Sequence, residues 1–225
     1  MKLALITIGQ SPRSDLNEEM AAQLPAGSEV IESGALDELD AAGIAALAPA
    51  PGEALLTSRL RDGGSAVFAH RHAVPLVEAA IERAEAAGAD ASLLLCSGDF
   101  PPLRHSRPLF LTERLAHDAV RGLLSGIPGG RLGVVRPLPD QIAEGADQWE
   151  ASIGVRPSAI VAASPYTAGI DEIAAAAGEI AEASDLIVLD CIGFGDDAKA
   201  AAHALTGKPV VTVRALAARV LGAML

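Results

Sequence analysis

Short apolar runs, each bounded by glycine, proline or serine, alternate along this chain with longer alanine-rich segments of helical spacing. The runs are continuously apolar, which is typical of parallel strands covered on both faces. Strands that alternate with helices form βαβ units with right-handed crossovers, so the sequence predicts an α/β fold with mostly parallel sheets. The predicted strands are Leu3–Ile8, Ser92–Cys96, Leu132–Val135, Ala159–Ala163, Leu186–Cys191 and Pro209–Val213.

The segments between these runs predict helices, except for one stretch that predicts a β-hairpin. Ala54–Leu60 and Ser65–His70 flank Asp62-Gly63-Gly64, a strong turn signal. We expect this hairpin to be an appendage near the mouth of a ligand cleft. The predicted helices are Ser14–Leu24, Leu36–Leu47, Val74–Ala87, Glu113–Leu124, Leu138–Glu150, Ile170–Ala183, Asp196–Leu205 and Ala215–Leu225.

The two halves of the chain share a layout. In each half an apolar strand ends in a cysteine that is followed, after one residue, by glycine: Cys96-Ser97-Gly98 and Cys191-Ile192-Gly193. We therefore predict two similar βαβ halves, 1–105 and 106–225, and leave open a return of the C-terminus to the first half.

Composition limits the partners of such a chain. The formal net charge is −12 over 225 residues, whereas nucleic acids and anionic membranes attract clustered lysine and arginine. The sequence has no apolar run of spanning length, and its apolar start, Met1–Ile6, is too short for a signal peptide. Two distant cysteines do not form a disulfide framework. We predict a cytoplasmic protein that binds a small anionic ligand and neither nucleic acid nor membrane; homo-oligomerisation is left open.

Loops at the carboxyl ends of parallel strands are where ligands bind in open sheets. Three of them offer backbone N–H groups near a following helix, an arrangement that suits a carboxylate or a phosphate. The predicted ligand-binding residues are Gly9, Gln10, Ser11, Arg13, Arg59, Ser97, Gly98, Tyr166, Thr167, Ile192 and Gly193. Arg136 also follows a strand and is a further candidate for a carboxylate clamp, a role that arginine geometry favours.

Cys96 and Cys191 are the candidate catalytic residues, as thiols that act as acid and base. A helix N-terminus lowers the pKa of a thiol below its usual value of about 8.5. Buried cysteines also pack hydrophobic cores, and that alternative stays open. If the halves are related by a pseudo-twofold, both thiols face one cleft. Asp190 is expected to point away from Cys191, on the other side of its strand.

No cofactor or metal motif stands out in the sequence. It has no G-x-S-x-G, no P-loop and no G-x-G-x-x-G motif. His70 and His72 lack the further ligands that a metal would need, so we interpret them as solvated or capping residues. The remaining histidines, His105, His117 and His203, are interpreted as structural. We predict chemistry that uses neither cofactor nor metal.

Four segments resemble the AroM family, and the resemblance runs over nearly the whole chain. They are Thr7–Arg13, Leu60–Gly63, Leu95–Pro101 and Leu189–Phe194. A more distant resemblance is to the aspartate/glutamate racemase superfamily, which includes hydantoin racemases, maleate isomerases and arylmalonate decarboxylases. The superfamily implies two α/β halves, active thiols after strands, and cofactor-free chemistry at the carbon next to a carboxylate.

The sequence departs from the amino-acid racemases at each strand-end loop. They carry Asn-Thr after the first cysteine and Thr-His after the second, where this chain has Ser97-Gly98 and Ile192-Gly193. Their first loop carries an acidic residue for the substrate ammonium, where this chain reads Gly9-Gln10-Ser11. We expect a racemase or isomerase acting on a small carboxylate that is not an ordinary α-amino acid. A cofactor-free decarboxylase and a non-catalytic carboxylate-binding or regulatory protein are the alternatives.

Overall fold

The computed structural model describes residues 1–224, except for the side chains of Asn17 and Glu18. The chain divides into two compact units. Unit 1 comprises Met1–Thr112 and the residues from Leu221 onward, and unit 2 comprises Glu113–Val220. Within the described residues, no helix is both long enough and apolar enough to cross a membrane.

The secondary structure alternates between strands and helices, as the sequence predicts. The strands are β1 (Lys2–Thr7), β2 (Glu29–Gly34), β3 (Leu55–Arg59), β4 (Ser65–Ala69), β5 (Ala91–Leu95), β6 (Leu109–Leu111), β7 (Leu132–Arg136), β8 (Ala159–Ala162), β9 (Leu186–Leu189) and β10 (Val210–Thr212). The helices are α1 (Ser14–Ala21), α2 (Ala41–Ala45), α3 (His70–Ala86), α4 (Thr112–Ser125), α5 (Ile142–Ile153), α6 (Ile170–Ile180), α7 (Asp196–Thr206) and α8 (Val213–Met224).

Unit 1 contains a four-stranded parallel sheet with the order β2-β1-β5-β6. Its central strands are buried, with all of Leu3–Thr7 and Ala91–Leu95 inaccessible to solvent. Such burial on both faces explains why these strands are continuously apolar in sequence.

The predicted hairpin is confirmed as the antiparallel pair β3–β4. Phe68 is fully buried and Leu56 is 5% exposed, and both belong to the core cluster that contains Ile8 and Cys96. The hairpin therefore packs into the core of unit 1 beside the loops that follow β1 and β5.

Unit 2 repeats this architecture with a sheet of order β10-β9-β7-β8, again parallel throughout. Numbered by position within its own unit, each sheet has the strand order 2-1-3-4. Along the chain, the hairpin β3–β4 lies between β2 and β5, the second and third strands of the sheet of unit 1. The α/β fold with parallel sheets and a β-hairpin is confirmed.

The sequence analysis did not predict the strands β2 and β6, and one helix that it did predict is much shorter in the structure. β2 reads Glu-Val-Ile-Glu-Ser-Gly and is half polar, since it lies at the edge of its sheet. β6 has only three residues. The helix predicted over Leu36–Leu47 is reduced to α2, because the Asp40 carboxylate accepts the Gly43 N–H and caps the helix there.

Candidate functional site

Cys96 and Cys191 occupy equivalent positions in the two sheets. Cys96 directly follows β5, the third strand of unit 1, and Asp190-Cys191 follows β9, the third strand of unit 2. In each sheet the third strand pairs with the first, β5 with β1 and β9 with β7. In this strand order, the gap between the carboxyl ends of the first and third strands is the switch point at which ligands bind. Each cysteine therefore lies at the switch point of its own unit.

Cys96 is a thiol outside any disulfide and is nearly buried, with 7% of the residue exposed. The Gly98 N–H lies 3.3 Å from Cys96 Sγ and donates to it. A Cβ at Gly98 would lie 2.9 Å from Leu56 Cδ2 of the hairpin and 3.4 Å from the sulfur. A side chain at residue 98 would therefore require the Leu56 side chain to shift. Ser97 is also buried, at 7% exposed.

The loop Gly9-Gln10-Ser11, predicted to bind an anion, uses its backbone donors within unit 1. The Gly9 N–H donates to Thr7 Oγ1 and the Gln10 N–H to the Arg59 carbonyl. The Ser11 N–H donates to Asp37 Oδ1 at 2.7 Å. A ligand carboxylate at these three amides would have to displace acceptors that the protein itself provides.

Asp37 is the acceptor at the centre of this loop, and sequence reasoning missed it. Its carboxylate accepts from the Ser11 hydroxyl at 2.6 Å, the Gly34 N–H at 2.7 Å and Arg61 Nη2 at 3.0 Å. Arg61 Nε also donates to the Ser11 carbonyl. Arg61 belongs to the segment Leu60–Gly63 that carried the family resemblance, and this was the signal available in the sequence.

Gln10 is a structural side chain in the same loop. Its amide Nε2 donates to the Leu36 carbonyl, and its Oε1 accepts the Arg61 N–H. Gly9 is held equally tightly, because a Cβ there would collide with the Arg59 carbonyl and the Ser58 hydroxyl. The loop is thus fixed from both sides, by the turn after β2 and by the hairpin.

Arg13, predicted as a carboxylate clamp, already holds a carboxylate of its own unit. Its side chain is 2% exposed, and its guanidinium donates to both oxygens of Asp15 at 2.8 Å and to Thr7 Oγ1 at 3.2 Å. Burial raises the pKa of the Asp15 carboxyl, but Arg13, the Asp15 amide and the charge of Arg59 outweigh burial and hold that pKa below its usual 3.8. Arg13 and Arg59 thus act together on Asp15.

The lowered pKa of Asp15 makes its contribution to stability depend on pH. A carboxyl with a depressed folded-state pKa stabilises the fold above its unfolded pKa, and this stabilisation is lost as the pH falls through the folded value. We expect Asp15→Asn to be less stable than the parent at neutral pH, with the difference shrinking below about pH 4. Urea unfolding of both proteins between about pH 7 and pH 3 measures this. A difference that stays constant with pH would contradict the assignment.

Cys191 is likewise a thiol outside any disulfide, and the residue is 5% exposed. The Tyr166 hydroxyl lies 3.6 Å from Cys191 Sγ, within hydrogen-bond distance for sulfur. Tyr166 belongs to the loop after β8, and the adjacent Thr167 is exposed. The structure therefore brings two of the predicted residues, Tyr166 and Cys191, into contact.

A buried arginine that the sequence analysis did not identify donates a hydrogen bond to the backbone of the Cys191 loop. Arg214, in the first turn of α8, is 3% exposed, and its Nη1 donates to the Ile192 carbonyl at 3.5 Å. Ile192 itself is buried. The sequence does not distinguish Arg214 from a surface arginine. Its side chain is buried because the loop from Cys191 to Gly195 packs against it.

Asp190 points away from Cys191 and anchors a buried polar cluster. Its Oδ2 accepts from Arg136 Nη1 at 2.7 Å and from Trp149 Nε1 at 2.9 Å. All three residues are at most 3% exposed. Arg136, a sequence candidate for binding ligand, is therefore paired with Asp190 inside unit 2.

The histidines have protein partners of their own. His70 Nε2 lies 2.7 Å from the Asp99 carbonyl, and His117 is buried, stacked on Trp149 and hydrogen-bonded to Ser152. Within residues 1–224, no three His, Cys, Asp or Glu side chains come together in a way that would hold a metal ion.

The fold places this chain in the class of racemase-like α/β folds. Solved structures of this fold include allantoin racemase from Pseudomonas fluorescens, with 16% identity, a TM-score of 0.62, and coverage of 100% of this chain and 90% of that one. Arylmalonate decarboxylase matches with 15% identity and a TM-score of 0.62, and the match covers 96% of this chain and 89% of that one. The maleate isomerase Iso from Pseudomonas putida S16 matches with 16% identity and a TM-score of 0.58, and the match covers 100% of this chain and 93% of that one.

The particular family follows from the sequence match. The model of the AroM protein family matches residues 3–225, and the chain belongs to that family. No curated protein matches the chain in sequence.

Proposed function

We propose that this protein is a cofactor-independent racemase or isomerase that acts on the carbon next to the carboxylate of a small acid. Cys96 and Cys191 serve as its acid and base. The observation that carries the proposal is that each thiol stands at the switch point of a parallel sheet with a hydrogen-bond donor at its sulfur. The Gly98 N–H donates to Cys96 Sγ at 3.3 Å, and the Tyr166 hydroxyl, which can donate to Cys191 Sγ or accept from it, lies 3.6 Å from that sulfur.

A donor at each sulfur supports proton transfer because it stabilises the thiolate, which is the form of cysteine that acts as a base. A cysteine that only packs a core is surrounded by apolar groups, which favour the neutral thiol. In both units the hydrogen bond forms within a tightly packed loop. A Cβ added at Gly193 would lie 2.6 Å from Tyr166 Cε1 and would collide with the ring. A Cβ added at Gly98 would lie 2.9 Å from Leu56 Cδ2 and would push that side chain aside.

The proposed reaction needs no oxidant, reductant or co-reactant. One thiolate takes the α-proton, so the C–H bond breaks, an S–H bond forms, and the electron pair moves into an enediolate. The other thiol then delivers its proton to the same carbon and becomes the thiolate. Backbone N–H groups stabilise the charge of the enediolate. In this proposal Ser97, Gly98, Ile192 and Gly193 provide the backbone nearest the thiols.

The remaining predicted residues have narrower roles in this proposal. Gly9, Gln10 and Ser11 shape the switch point of unit 1, since their own amides are engaged within the loop. Arg13 holds Asp15, and Arg59 contributes its charge to the same carboxylate. Thr167 is exposed beside Tyr166. The proposed ligand is a small carboxylate, a class suggested by the names of the arylmalonate decarboxylase and the maleate isomerase of the same fold.

The proposal is tested by a thermal-shift screen followed by proton exchange. Small dicarboxylates, keto acids and shikimate-pathway acids are screened for a concentration-dependent rise in melting temperature, because a ligand of the native state stabilises it by mass action. Each acid that binds is incubated with the protein in deuterated water, and loss of its α-proton signal is followed by NMR. Exchange at that carbon supports the proposal.

Two other outcomes would replace the proposal. Binding without exchange or turnover would make the protein a carboxylate-binding or regulatory protein. Release of carbon dioxide from a substituted malonate would make it a decarboxylase.

A further inference from the structure

Tyr166 lies in a loop whose geometry is fixed by its own hydrogen bonds. The Tyr166 N–H lies 3.3 Å from Ser164 Oγ, and the Ala168 N–H donates to the Ser164 carbonyl at 2.9 Å. The ring then lies against Gly193, where an added Cβ would come within 2.6 Å of Cε1 and 2.9 Å of Cζ. The absence of a side chain at residue 193 is what lets the phenol reach the sulfur of Cys191.

We propose that Tyr166 is a positioning residue whose hydroxyl donates a hydrogen bond to the Cys191 thiolate. Gly193, which has no side chain, leaves the space that the Tyr166 ring occupies. This inference rests on the proposed function, because it assigns the group that keeps Cys191 ready to act as a base.

The direction of the hydrogen bond follows from the acidities of the two groups. An ordinary thiol has a pKa of about 8.5 and an ordinary phenol a pKa of about 10, so the thiol loses its proton first. The phenol then donates to a charged acceptor, which is a stronger bond than one between neutral groups. The hydrogen bond from Tyr166 therefore favours the thiolate form of Cys191. An ordinary phenol stays protonated near neutral pH, so Tyr166 can remain the donor there.

The charged side chains around Cys191 are engaged elsewhere or act on the backbone. Asp190 is held by Arg136 and Trp149 on the other side of the strand. Arg214 donates to the Ile192 carbonyl, and Asp197 accepts the Ala198 N–H at the start of α7. Tyr166 is thus a polar side chain that reaches the sulfur itself.

The test measures how fast iodoacetamide alkylates Cys191 across a pH series in the parent, Tyr166→Phe and Gly193→Ala. Phenylalanine keeps the ring and removes the hydroxyl, whereas alanine at residue 193 keeps the hydroxyl and pushes the ring away. We expect both variants to alkylate Cys191 about three- to tenfold more slowly at neutral pH, because the loss of thiolate is partly offset by greater intrinsic nucleophilicity. The pH of half-maximal rate should rise in both.

Cys96 in the same molecules is the matched control, since its hydrogen bond comes from Gly98 and does not involve Tyr166. Its alkylation rate should not change, and peptide mass spectrometry reads the two cysteines separately. An unchanged pH profile for Cys191 in Tyr166→Phe would overturn the inference, as would equal slowing of both cysteines.

The same variants separate this inference from the proposed function. If Tyr166→Phe slows alkylation of Cys191 but no carboxylic acid of the screen exchanges its α-proton, the inference stands and the function fails. If an acid is turned over and Tyr166→Phe changes neither alkylation nor the pH profile of kcat, the function stands and the inference fails.

Discussion

Cys96→Ser and Cys191→Ser are each expected to lower the rate of racemisation or isomerisation by about 10²–10⁴-fold, the range that a positioned acid or base contributes. Serine replaces the thiol with a group of similar size that does not ionise near neutral pH. If proton transfer uses two thiols, each single variant loses inversion. Each still exchanges the α-proton with deuterated water from the side of its remaining cysteine. Chiral chromatography measures inversion, and NMR measures exchange.

Cys96→Ala and Cys191→Ala serve as the controls for core packing. Each residue belongs to the hydrophobic cluster of its unit, Cys96 with Leu56 and Cys191 with Phe194. If the thiols do no more than fill space, the alanine variants lose some stability and keep full activity. Loss of activity in Cys191→Ser alone would instead indicate one-thiol chemistry, closer to decarboxylation or to isomerisation through a thiol adduct.

Asp190→Asn is expected to reduce the free energy of unfolding by about 3–5 kcal/mol, the usual cost of removing one partner from a buried ion pair. Asp190 is fully buried, and its carboxylate receives both the Arg136 guanidinium and the Trp149 indole N–H. The variant leaves the guanidinium buried without its counter-charge, and a typical domain has only about 5–15 kcal/mol of stability in total. Urea unfolding followed by Trp149 fluorescence measures the loss.

Asp185→Asn is the matched control, because Asp185 pairs with Arg131 at the surface. Its effect should be much smaller than that of Asp190→Asn. A double variant, Arg136→Met with Asp190→Leu, removes both charges and should recover a large part of the lost stability. An Asp190→Asn protein that unfolds at the same urea concentration as the parent would show that the pair contributes little.

The strands and the cysteines were predictable because their signals are local. A continuously apolar run such as Ser92–Cys96 reports burial on both faces, and the Cys-x-Gly pattern marks the end of the third strand in each unit. The edge strand β2 was missed because half of its residues are polar, whereas the apolar edge strands β8 and β10 were predicted. That the two thiols act on one substrate stays a prediction, which the single-cysteine variants test.

The partners of the charged residues were not predictable, because the sequence does not show which carboxylate reaches which arginine in the fold. Arg13 and Arg136 were expected to bind a ligand carboxylate, yet each holds a carboxylate of the protein, Asp15 and Asp190. In a chain with 29 acidic residues against 17 basic ones, an internal acid often reaches a buried arginine before a ligand does. Asp37 and Arg61 illustrate the same difficulty, since 24 positions separate them.

The short outer strands β6 and β10 bear on whether the sheets of two copies can pair edge to edge. β6 and β10 have three residues each, so the unpaired edge that each offers is too short to template a strand of another chain. The longer edge strand β2 carries Glu29 and Glu32, and charged side chains on an edge oppose pairing between copies. At the edges formed by β2, β6 and β10, strand pairing between copies is thereby disfavoured.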